Sequence, residues 1–265
     1  MRQQPAWEGE HSLPQVFLSV VIPAYNEESR ITDTLEEVIG FLSGRPYTWE
    51  VLVADDGSTD GTGRLVGGLA ESQPNLHLIK LAHRGKGSAV KNAMLAASGQ
   101  YRFLCDADLS VPIEQVERFL PPQIEGVDIA IGSREAPGAR RIGEPNRRRL
   151  MGRVFNTLVR VLAVPRLQDT QCGFKCFRGE IAPDLFKRQT MNGFAFDVEI
   201  LFLARRTGLA MQEIAVDWYY REQSKVRPVR DSLLMTLDLL KIRWRYRWGR
   251  HRRPAARERV ESNLP

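Results

Sequence analysis

Two aspartates separated by one residue, Asp106 and Asp108, follow an apolar run at Tyr101–Cys105. Carboxylates at positions i and i+2, just past a buried strand, can hold one hard divalent cation together with a diphosphate. Such a cation neutralises the charge that develops on a leaving phosphate. A solvated turn would use the same residue types. The pair alone therefore leaves a metal site and a turn as alternatives.

A second acidic pair, Asp55 and Asp56, follows the apolar run Trp49–Ala54. Carboxylates in this position can accept hydrogen bonds from a base N–H or from ribose hydroxyl groups. The alternative is that Thr59 or Asp60 caps the next helix while the two acids are merely solvated.

Lys86 stands between Gly85 and Gly87, where a cation and free backbone N–H groups could face phosphates. The alternative is a flexible turn with a solvent-exposed lysine. This stretch lacks the first glycine of G-x-x-x-x-G-K-[ST]. The run Gly61–Gly63 has Val66 where the dinucleotide fingerprint needs its third glycine. P-loop ATPases and Rossmann dehydrogenases are therefore disfavoured.

Apolar runs alternate with helical periodicity along the first half of the chain, which predicts a mostly parallel α/β sheet with helices on both faces. Pro23 is expected to end the first strand, and Gly44 to end the helix that begins near Glu28. Ligands bind at the carboxyl ends of such strands, so the acidic and glycine-rich loops should share one edge. The predicted strands are Val16–Ile22, Trp49–Ala54, Leu76–Leu81, Tyr101–Cys105 and Val127–Ile131.

Two later segments have amphipathic helical patterns, Leu150–Leu162 and Asp231–Trp248. Arginines flank the first, and lysine and arginine fill the later half of the second. The apolar stripe of the second segment consists of Leu233, Leu237, Leu240, Trp244 and Trp248.

The composition, 43% hydrophobic and 26% charged residues, is that of a globular protein, and the net charge of +6 is local. From Lys241 onward there are nine cations and two acids, whereas the preceding residues carry 29 cations and 30 acids. The predicted division is a polar lead-in (1–14), one catalytic domain (15–230), a basic amphipathic helix (231–250) and a basic disordered tail (251–265). A nucleic-acid-binding protein is disfavoured because the ordered motifs lie in the neutral body.

No stretch approaches the roughly 18–20 consecutive apolar residues of a membrane-spanning helix. The N-terminal residues have no apolar signal region, and three cysteines suit a reducing compartment. We therefore expect a cytoplasmic protein without a membrane span.

Three segments together resemble glycosyltransferase family 2, whose members are inverting enzymes with the GT-A fold: Val20–Glu28, Ala54–Thr62 and Asp106–Asp108. Further segments resemble the dolichyl-phosphate β-glucosyltransferase subgroup, to which dolichol-phosphate mannose synthases are related in architecture. Gln223 is a departure, because that subgroup usually has glycine before Ser-Lys. The segments with the subgroup resemblance are Gly132–Arg134, Asp169–Lys175, Phe196–Glu199 and Trp218–Lys225.

The resemblance implies a role for each matching residue. Donor binding falls to Pro23, Ala24, Tyr25, Glu27, Asp55, Asp56, Lys86, Asp106 and Ala107, and Mg²⁺ or Mn²⁺ binding to Asp106 and Asp108. Acceptor binding falls to Arg134, Gln171, Ser224 and Lys225 and to one or more of Arg147, Arg148, Arg149 and Arg153. The residues implied in catalysis are Arg134, Asp108 and Asp169, and Asp169 would also line the sugar and acceptor pocket. A base role for Asp169 is a weaker assignment than that of Arg134 as the residue that grips the acceptor phosphate, because the acceptor is already largely a dianion near neutral pH.

The resemblance also implies a reaction, the transfer of a hexose from a nucleotide sugar to a polyprenyl or dolichyl phosphate. UDP-glucose is the expected donor. GDP-mannose as the donor, or a soluble glycan as the acceptor, are the alternatives. The basic amphipathic helices suit a lipid-borne acceptor, which predicts peripheral attachment to the inner face of the cell membrane. The other possibility is that the apolar stripe packs on the sheet and the arginines are solvated.

Overall fold

A seven-stranded sheet organises the chain in a computed structural model that describes residues 16–145, 157, 159, 164–165, 167–221 and 228–247. Its strand order is β3-β2-β1-β4-β7-β5-β8, and β7 alone runs antiparallel to both of its neighbours. The remaining pairs are parallel, as predicted. The strands are β1 (Leu18–Ala24), β2 (Trp49–Asp55), β3 (Leu76–Lys80), β4 (Tyr101–Cys105), β5 (Ile129–Ser133), β7 (Phe174–Arg178) and β8 (Met211–Ala215).

Helices cover both faces of this sheet, which confirms the predicted layers. One face packs against α1, α2 and a 3₁₀ helix, and the other against α3, α4, α5 and α6. A separate two-stranded parallel ribbon joins β6 (Arg140–Ile142) to β9 (Asp217–Tyr219). The helices are α1 (Ile31–Ser43), α2 (Thr62–Ser72), α3 (Lys86–Ala96), the 3₁₀ helix (Ile113–Phe119), α4 (Ala182–Arg188), α5 (Phe196–Thr207) and α6 (Pro228–Arg247).

Pro23 lies inside β1 and does not end it, contrary to the sequence prediction. Strand β1 is paired with β4 only through Val21, whereas its pairing with β2 continues to Ala24. Beyond Val21 the strand is thus an edge on one side. Proline is tolerated there because the N–H that it lacks is not needed on the open side.

The antiparallel course of β7 brings its beginning to the carboxyl end of its neighbour. Phe174, the first residue of β7, pairs with Cys105, the last residue of β4. The loop that enters β7, 169–173, is therefore delivered to the same edge of the sheet as the residues that follow β4.

Helix α6 begins at Pro228 rather than Asp231, so the predicted domain boundary falls within it. Leu239, Ile242 and Tyr246 are buried in the same hydrophobic cluster as α3 and α5. The opposite face carries the predicted stripe residues, with exposed fractions of 49% for Leu237, 50% for Leu240 and 75% for Trp244. Helix α6 therefore has two apolar faces, and the face singled out in the sequence is the exposed one.

Thr157 and Val159 are helical, in agreement with the helix predicted over Leu150–Leu162, whose other positions lie outside the described residues. Leu233 and Trp248 of the α6 stripe, and the tail 251–265, are likewise outside the side chains that the structure describes. In the part of the chain that is described, no helix is both long and apolar enough to cross a membrane.

Candidate active site

A cleft of about 460 Å³ opens at the carboxyl edge of the parallel strands. Residues that follow β1, β2, β3 and β4 all reach it, which confirms that the acidic and glycine-rich loops share one edge. Among the predicted donor residues it is lined by Pro23, Ala24, Tyr25, Glu27, Asp56, Lys86, Asp106 and Ala107, together with Asp108.

Asp56 fastens the glycine-rich loop to the end of β2. Its carboxylate accepts hydrogen bonds from the backbone N–H groups of Arg84, at 3.0 Å, and Gly85, at 2.8 Å. The ring Nδ1 of His83 lies 2.8 Å from Asp56 Oδ2. Asp56 is buried, so the reading of a merely solvated acid does not hold for it.

Asp55 lies behind the cleft and does not line it. Its Oδ1 accepts a hydrogen bond from the Ser58 N–H at 2.9 Å, and its other carboxylate oxygen would lie 2.7 Å from a side chain at Gly63. Asp60 precedes Gly61, the N-cap of the following helix, and its Oδ1 accepts the Thr62 N–H at 3.0 Å. Asp55 thus shapes the loop, whereas the sequence prediction placed it among the donor contacts.

The rings of Tyr25 and His83 stack at one side of the cleft, with centroids 4.1 Å apart and planes 19° apart. Such a pair offers an aromatic wall beside the polar groups of Asp56. The sequence analysis missed His83, although a polar residue directly after β3 is a usable signal. It also missed Arg30, Gly193 and Phe194, which line the cleft as well.

Lys86 begins α3 and forms an ion pair with Asp106, with Nζ 2.6 Å from Oδ1. Burial alone would lower the pKa of Lys86, but the neighbouring carboxylates of Asp106 and Asp197 outweigh it and raise the pKa to about 12. The lysine is therefore fully charged at neutral pH and lies at the helix N-terminus, where anions are also favoured. A solvent-exposed turn lysine is excluded by this geometry.

Asp106 and Asp108 fit a divalent cation that is shared with a phosphate ligand. Both line the cleft, and Asp108 Oδ1 accepts the Ser110 N–H at 2.9 Å, which orients its carboxylate. Over the described ranges, no group of three His, Cys, Asp or Glu residues could enclose a metal. This is the donor set that Mg²⁺ takes, since it is held by one or two carboxylates plus substrate phosphates rather than by a protein cage.

Arg134, just past β5, forms a two-pronged ion pair with the fully buried Asp169. The distances are 2.6 Å from Nε to Oδ2 and 2.8 Å from Nη2 to Oδ1, and the Arg134 backbone N–H also donates to Oδ2 at 3.0 Å. The guanidinium carbon lies 5.6 Å from the Trp218 ring centroid. Asp169 and its surroundings thus fix the guanidinium in one orientation, which leaves its Nη1 edge to meet a further anion.

The same contacts make Asp169 a poor base. Burial alone would raise its pKa, but Arg134 outweighs burial and lowers the pKa to about 2. Its Oδ1 also accepts the Gln171 N–H at 3.1 Å. Four hydrogen bonds occupy the lone pairs of Asp169, so this carboxylate positions Arg134, and the geometry does not favour it as a base.

The loop 169–173 brings the Arg134 pair against the acidic pair of the cleft. A side chain at Gly173 would meet Asp106 Oδ2 at 2.0 Å, so backbone and carboxylate are in direct contact. Cys172 lies between the two sites, where burial and then the charge of Asp169 raise the pKa of its thiol to about 12. That thiol stays protonated and is not a nucleophile.

Several predicted acceptor residues lie outside the described residues, namely Arg147, Arg148, Arg149, Arg153, Ser224 and Lys225. Gln171 is described and is partly buried, with Nε2 directed inward. Arg134 and Gln171 are thus the predicted acceptor residues whose places the structure describes.

A twisted, mostly parallel sheet with a nucleotide-sized cleft beside an Asp-x-Asp pair defines a GT-A glycosyltransferase. The family model described as "Glycosyl transferase family 2" matches residues 19–186. The chain belongs to this family, which confirms the predicted GT-A fold and the prediction of a hexosyltransferase.

Curated relatives are similar to this chain over most of its length. A "Dolichyl-phosphate beta-glucosyltransferase" of Dictyostelium discoideum is 36% identical over 91% of this chain and 78% of its own length. The protein of that name in Drosophila melanogaster is 38% identical over 89% of this chain and 77% of its own length. The one in Homo sapiens is 36% identical over 89% and 78%.

Solved structures support the fold. Glucosyl-3-phosphoglycerate synthase from Mycobacterium tuberculosis, in complex with UDP, superposes with a TM-score of 0.62 at 21% identity, over 87% of this chain and 79% of that one. Mannosyl-3-phosphoglycerate synthase from Rubrobacter xylanophilus superposes with a TM-score of 0.66 at 19% identity, over 92% and 78%.

Proposed function

We propose that this chain transfers glucose from UDP-glucose, with inversion, to a dolichyl or polyprenyl phosphate. The observation that carries the proposal is the Arg134 guanidinium, which the buried carboxylate of Asp169 fixes in place. Asp169 begins the loop 169–173, and Gly173 of that loop contacts Asp106. A cation in this position suits a phosphate acceptor that approaches a nucleotide sugar bound at the acidic pair. The names of the curated relatives support the same acceptor and sugar.

The donor diphosphate would lie between the N-terminus of α3 and the acidic pair. Lys86 supplies a partly buried positive charge there, and Asp56 holds the preceding loop in place through that loop's backbone N–H groups. The nucleoside would lie against Tyr25 and Asp56, which line the same cleft.

The divalent cation, Mg²⁺ or Mn²⁺, would be held by Asp106 and Asp108 and would supply charge neutralisation on the departing diphosphate. A Mycobacterium tuberculosis glucosyl-3-phosphoglycerate synthase with the same fold was crystallised with Mn²⁺ and UDP-glucose. That neighbour favours a divalent cation without selecting between the two metals.

Transfer needs no strong protein base. A phosphate monoester has a second pKa of about 6, so the acceptor is largely a dianion near neutral pH. Its oxygen attacks C1 of the sugar in line, the new C1–O bond forms as the bond to the diphosphate breaks, and UDP leaves. Arg134 would hold the attacking phosphate, Asp169 would fix Arg134, and Lys86 would hold the departing charge.

The exposed face of α6 would lie on the membrane that carries the acceptor. Helical geometry places Lys241 and Arg245 on one flank of the Leu237–Leu240–Trp244 stripe and Arg243 on the other. An exposed apolar stripe between basic flanks is the pattern of a helix that lies in an anionic lipid interface. This supports peripheral attachment at the cytoplasmic face.

The decisive experiment is a donor panel of UDP-glucose, UDP-galactose and GDP-mannose with a short polyprenyl phosphate and Mg²⁺ or Mn²⁺. Transfer from UDP-glucose supports the proposal, and transfer only from GDP-mannose would replace the donor assignment. 3-Phosphoglycerate serves as a soluble acceptor, and a preference for it would contradict the lipid acceptor.

Asp108→Asn tests the acidic pair. We expect turnover to fall by about 10³-fold, because the variant removes a charge that would bind the cation. Asp184→Asn is the matched control, since Asp184 is an exposed aspartate on α4 outside the cleft. Full turnover in Asp108→Asn would remove this residue from the site.

Trp244→Ala tests the membrane face. Binding to vesicles that contain about one third anionic lipid should weaken about tenfold, because a large exposed aromatic ring is lost. High salt should release the unmodified protein. Unchanged vesicle binding by the variant would assign membrane contact to another surface.

A further inference from the structure

Glu199 is a fully buried carboxylate on α5 whose oxygens join two separate parts of the molecule. On one side, Oε2 accepts the backbone N–H groups of Thr190 and Met191, both at 2.8 Å, and Oε1 accepts the Thr190 hydroxyl at 2.6 Å. On the other side, the hydroxyl of Tyr246 on α6 donates to Oε1 at 2.9 Å. One side chain therefore holds a loop and a distant helix together.

The loop that Glu199 holds, Thr190–Phe194, is part of the donor cleft, since its last two residues line it. The Ser88 N–H donates to the Asn192 carbonyl at 3.2 Å. Gln189 Nε2 donates to the Gly87 carbonyl at 2.7 Å and to the Met191 carbonyl at 2.8 Å. Side chains are excluded at Gly85 and Gly87, where a Cβ would meet carbonyl oxygens of this loop at 2.7 and 2.6 Å. The loop thus sets the place of the α3 N-terminus that carries Lys86.

Tyr246 lies on the buried face of α6, opposite the exposed Leu237–Leu240–Trp244 stripe. Its ring packs beside Phe202 of α5, with centroids 5.8 Å apart, and its backbone carbonyl accepts a hydrogen bond from Arg206. The hydroxyl oxygen also lies 3.3 Å from the Arg188 carbonyl oxygen, just ahead of the loop. The contact that docks α6 and the contacts that order the loop Thr190–Phe194 therefore meet at the same carboxylate, that of Glu199.

We propose that Glu199 is a positioning residue that couples the seating of α6 to the donor site. When α6 is docked through Tyr246, the four hydrogen bonds to Glu199 are complete and the loop holds the Lys86 helix terminus ready for a diphosphate. When α6 is displaced, Glu199 loses the hydrogen bond from Tyr246. The loop 190–194 is then held less firmly, and the affinity for the nucleotide sugar falls. This inference rests on the proposed nucleotide-sugar donor, and it makes a helix with a lipid-facing surface a determinant of donor binding.

Tyr246→Phe is the direct test, because it removes the hydroxyl and keeps the ring in the core. We expect the Kd for UDP with Mn²⁺, measured by calorimetry without lipid, to rise about threefold to tenfold, as follows from losing one hydrogen bond to a buried charge. Amide hydrogen exchange at Thr190 and Met191, whose N–H groups bind Glu199, should quicken in the same variant.

Two controls separate coupling from a general loss of stability. Ile242→Val trims a buried α6 residue away from Glu199, so it should lower the melting temperature while leaving the UDP Kd unchanged. Trp244→Ala, on the exposed face, should leave the UDP Kd unchanged in solution. Glu199→Gln should give an intermediate Kd, because one amide oxygen can still accept the two loop N–H groups.

The outcomes distinguish this inference from the proposed function. If the unmodified chain binds UDP and Tyr246→Phe binds it equally well with unchanged amide exchange, the coupling is wrong and the function stands. If the unmodified chain binds no nucleoside diphosphate, both fail. If Ile242→Val weakens UDP binding as much as Tyr246→Phe, the effect is one of stability and the inference fails.

Discussion

Two arginines six residues apart, Arg134 and Arg140, each form an ion pair with an aspartate. The two pairs have nearly the same geometry, but one is buried and the other is exposed. Arg134 binds Asp169 through Nε and Nη2 at 2.6 and 2.8 Å, and Arg140 binds Asp217 through the same atoms at 2.8 and 2.5 Å. Asp169 is fully buried, whereas the Arg140 side chain is 69% exposed.

The difference teaches that contact geometry does not fix what an ion pair does. Water competes for the exposed pair on the β6–β9 ribbon, so its partners can separate at little cost. At the buried pair, removing either partner leaves a charge without solvation. The buried pair can therefore hold a guanidinium in one orientation, and the exposed pair cannot.

The largest effect is expected from Arg134→Ala, which leaves the buried carboxylate of Asp169 without its cationic partner. The free energy of unfolding should fall by about 3–5 kcal/mol, the cost typical of breaking a buried pair. Urea denaturation measures this, with Asp169→Asn combined with Arg134→Ala as the control, since that double variant should recover part of the loss. Stability close to that of the unmodified chain in Arg134→Ala would mean that burial does not separate the two pairs.

Arg134→Lys keeps the charge and removes the two-pronged contact. Acceptor kcat/KM should fall about 100-fold, because a lysine cannot bind Asp169 and a phosphate with fixed geometry. The UDP Kd should stay within about twofold, since Lys86 and Asp56 serve the donor. A loss of UDP affinity as large as the loss of acceptor kcat/KM would contradict the assignment of Arg134 to the acceptor.

The pH dependence of stability should carry the signature of the buried pair. The pKa of Asp169 is lowered from 3.8 to about 2, since Arg134 outweighs burial. A lowered pKa stabilises the fold above the unfolded-state value, and this stability is lost as the pH falls toward 2. The loss should be about 2–3 kcal/mol between pH 5 and pH 2. In Asp169→Asn the slope of unfolding free energy over this range should flatten, and an unchanged slope would contradict the assignment.

The smallest effect is expected at the exposed pair. The hydrogen bond from Arg140 lowers the pKa of Asp217, but both groups remain close to water. Arg140→Ala should leave the melting temperature and the acceptor kcat/KM unchanged within error. A loss as large as that of Arg134→Ala would show that the ribbon bears on the site.

The loops that line the cleft were predictable from sequence because their signals are local. The loops after β2 and β4 carry their acids next to the strands that place them, and parallel strands end at one edge. The sequence could not tell Asp55 from Asp56, because adjacent acids look alike, although Asp55 accepts a hydrogen bond from Ser58 in its own loop and Asp56 lines the cleft.

The acceptor side depends on contacts between distant positions, which no local pattern contains. The Arg134–Asp169 pair spans 35 residues, and the Tyr246–Glu199 contact spans 47. Strand β7 brings the loop 169–173 to the edge of the sheet where the cleft opens. No sequence pattern in β7 predicts that it runs antiparallel to its neighbours. Periodicity likewise found the larger apolar stripe of α6 but not the buried one behind it.

The reversed strand β7 has a consequence for how such enzymes can diversify. β5 and β7 are adjacent and hydrogen-bonded, with Ile129 opposite Phe177 and Ile131 opposite Lys175. The two ends of the segment between them are therefore held at neighbouring points of the sheet. If Arg134 and Asp169 serve the acceptor as proposed, exchanging that segment would change the acceptor while β1, β2 and β4 keep their register. Gly173, the last residue of the segment, would have to be kept, because a side chain there would meet the carboxylate of Asp106.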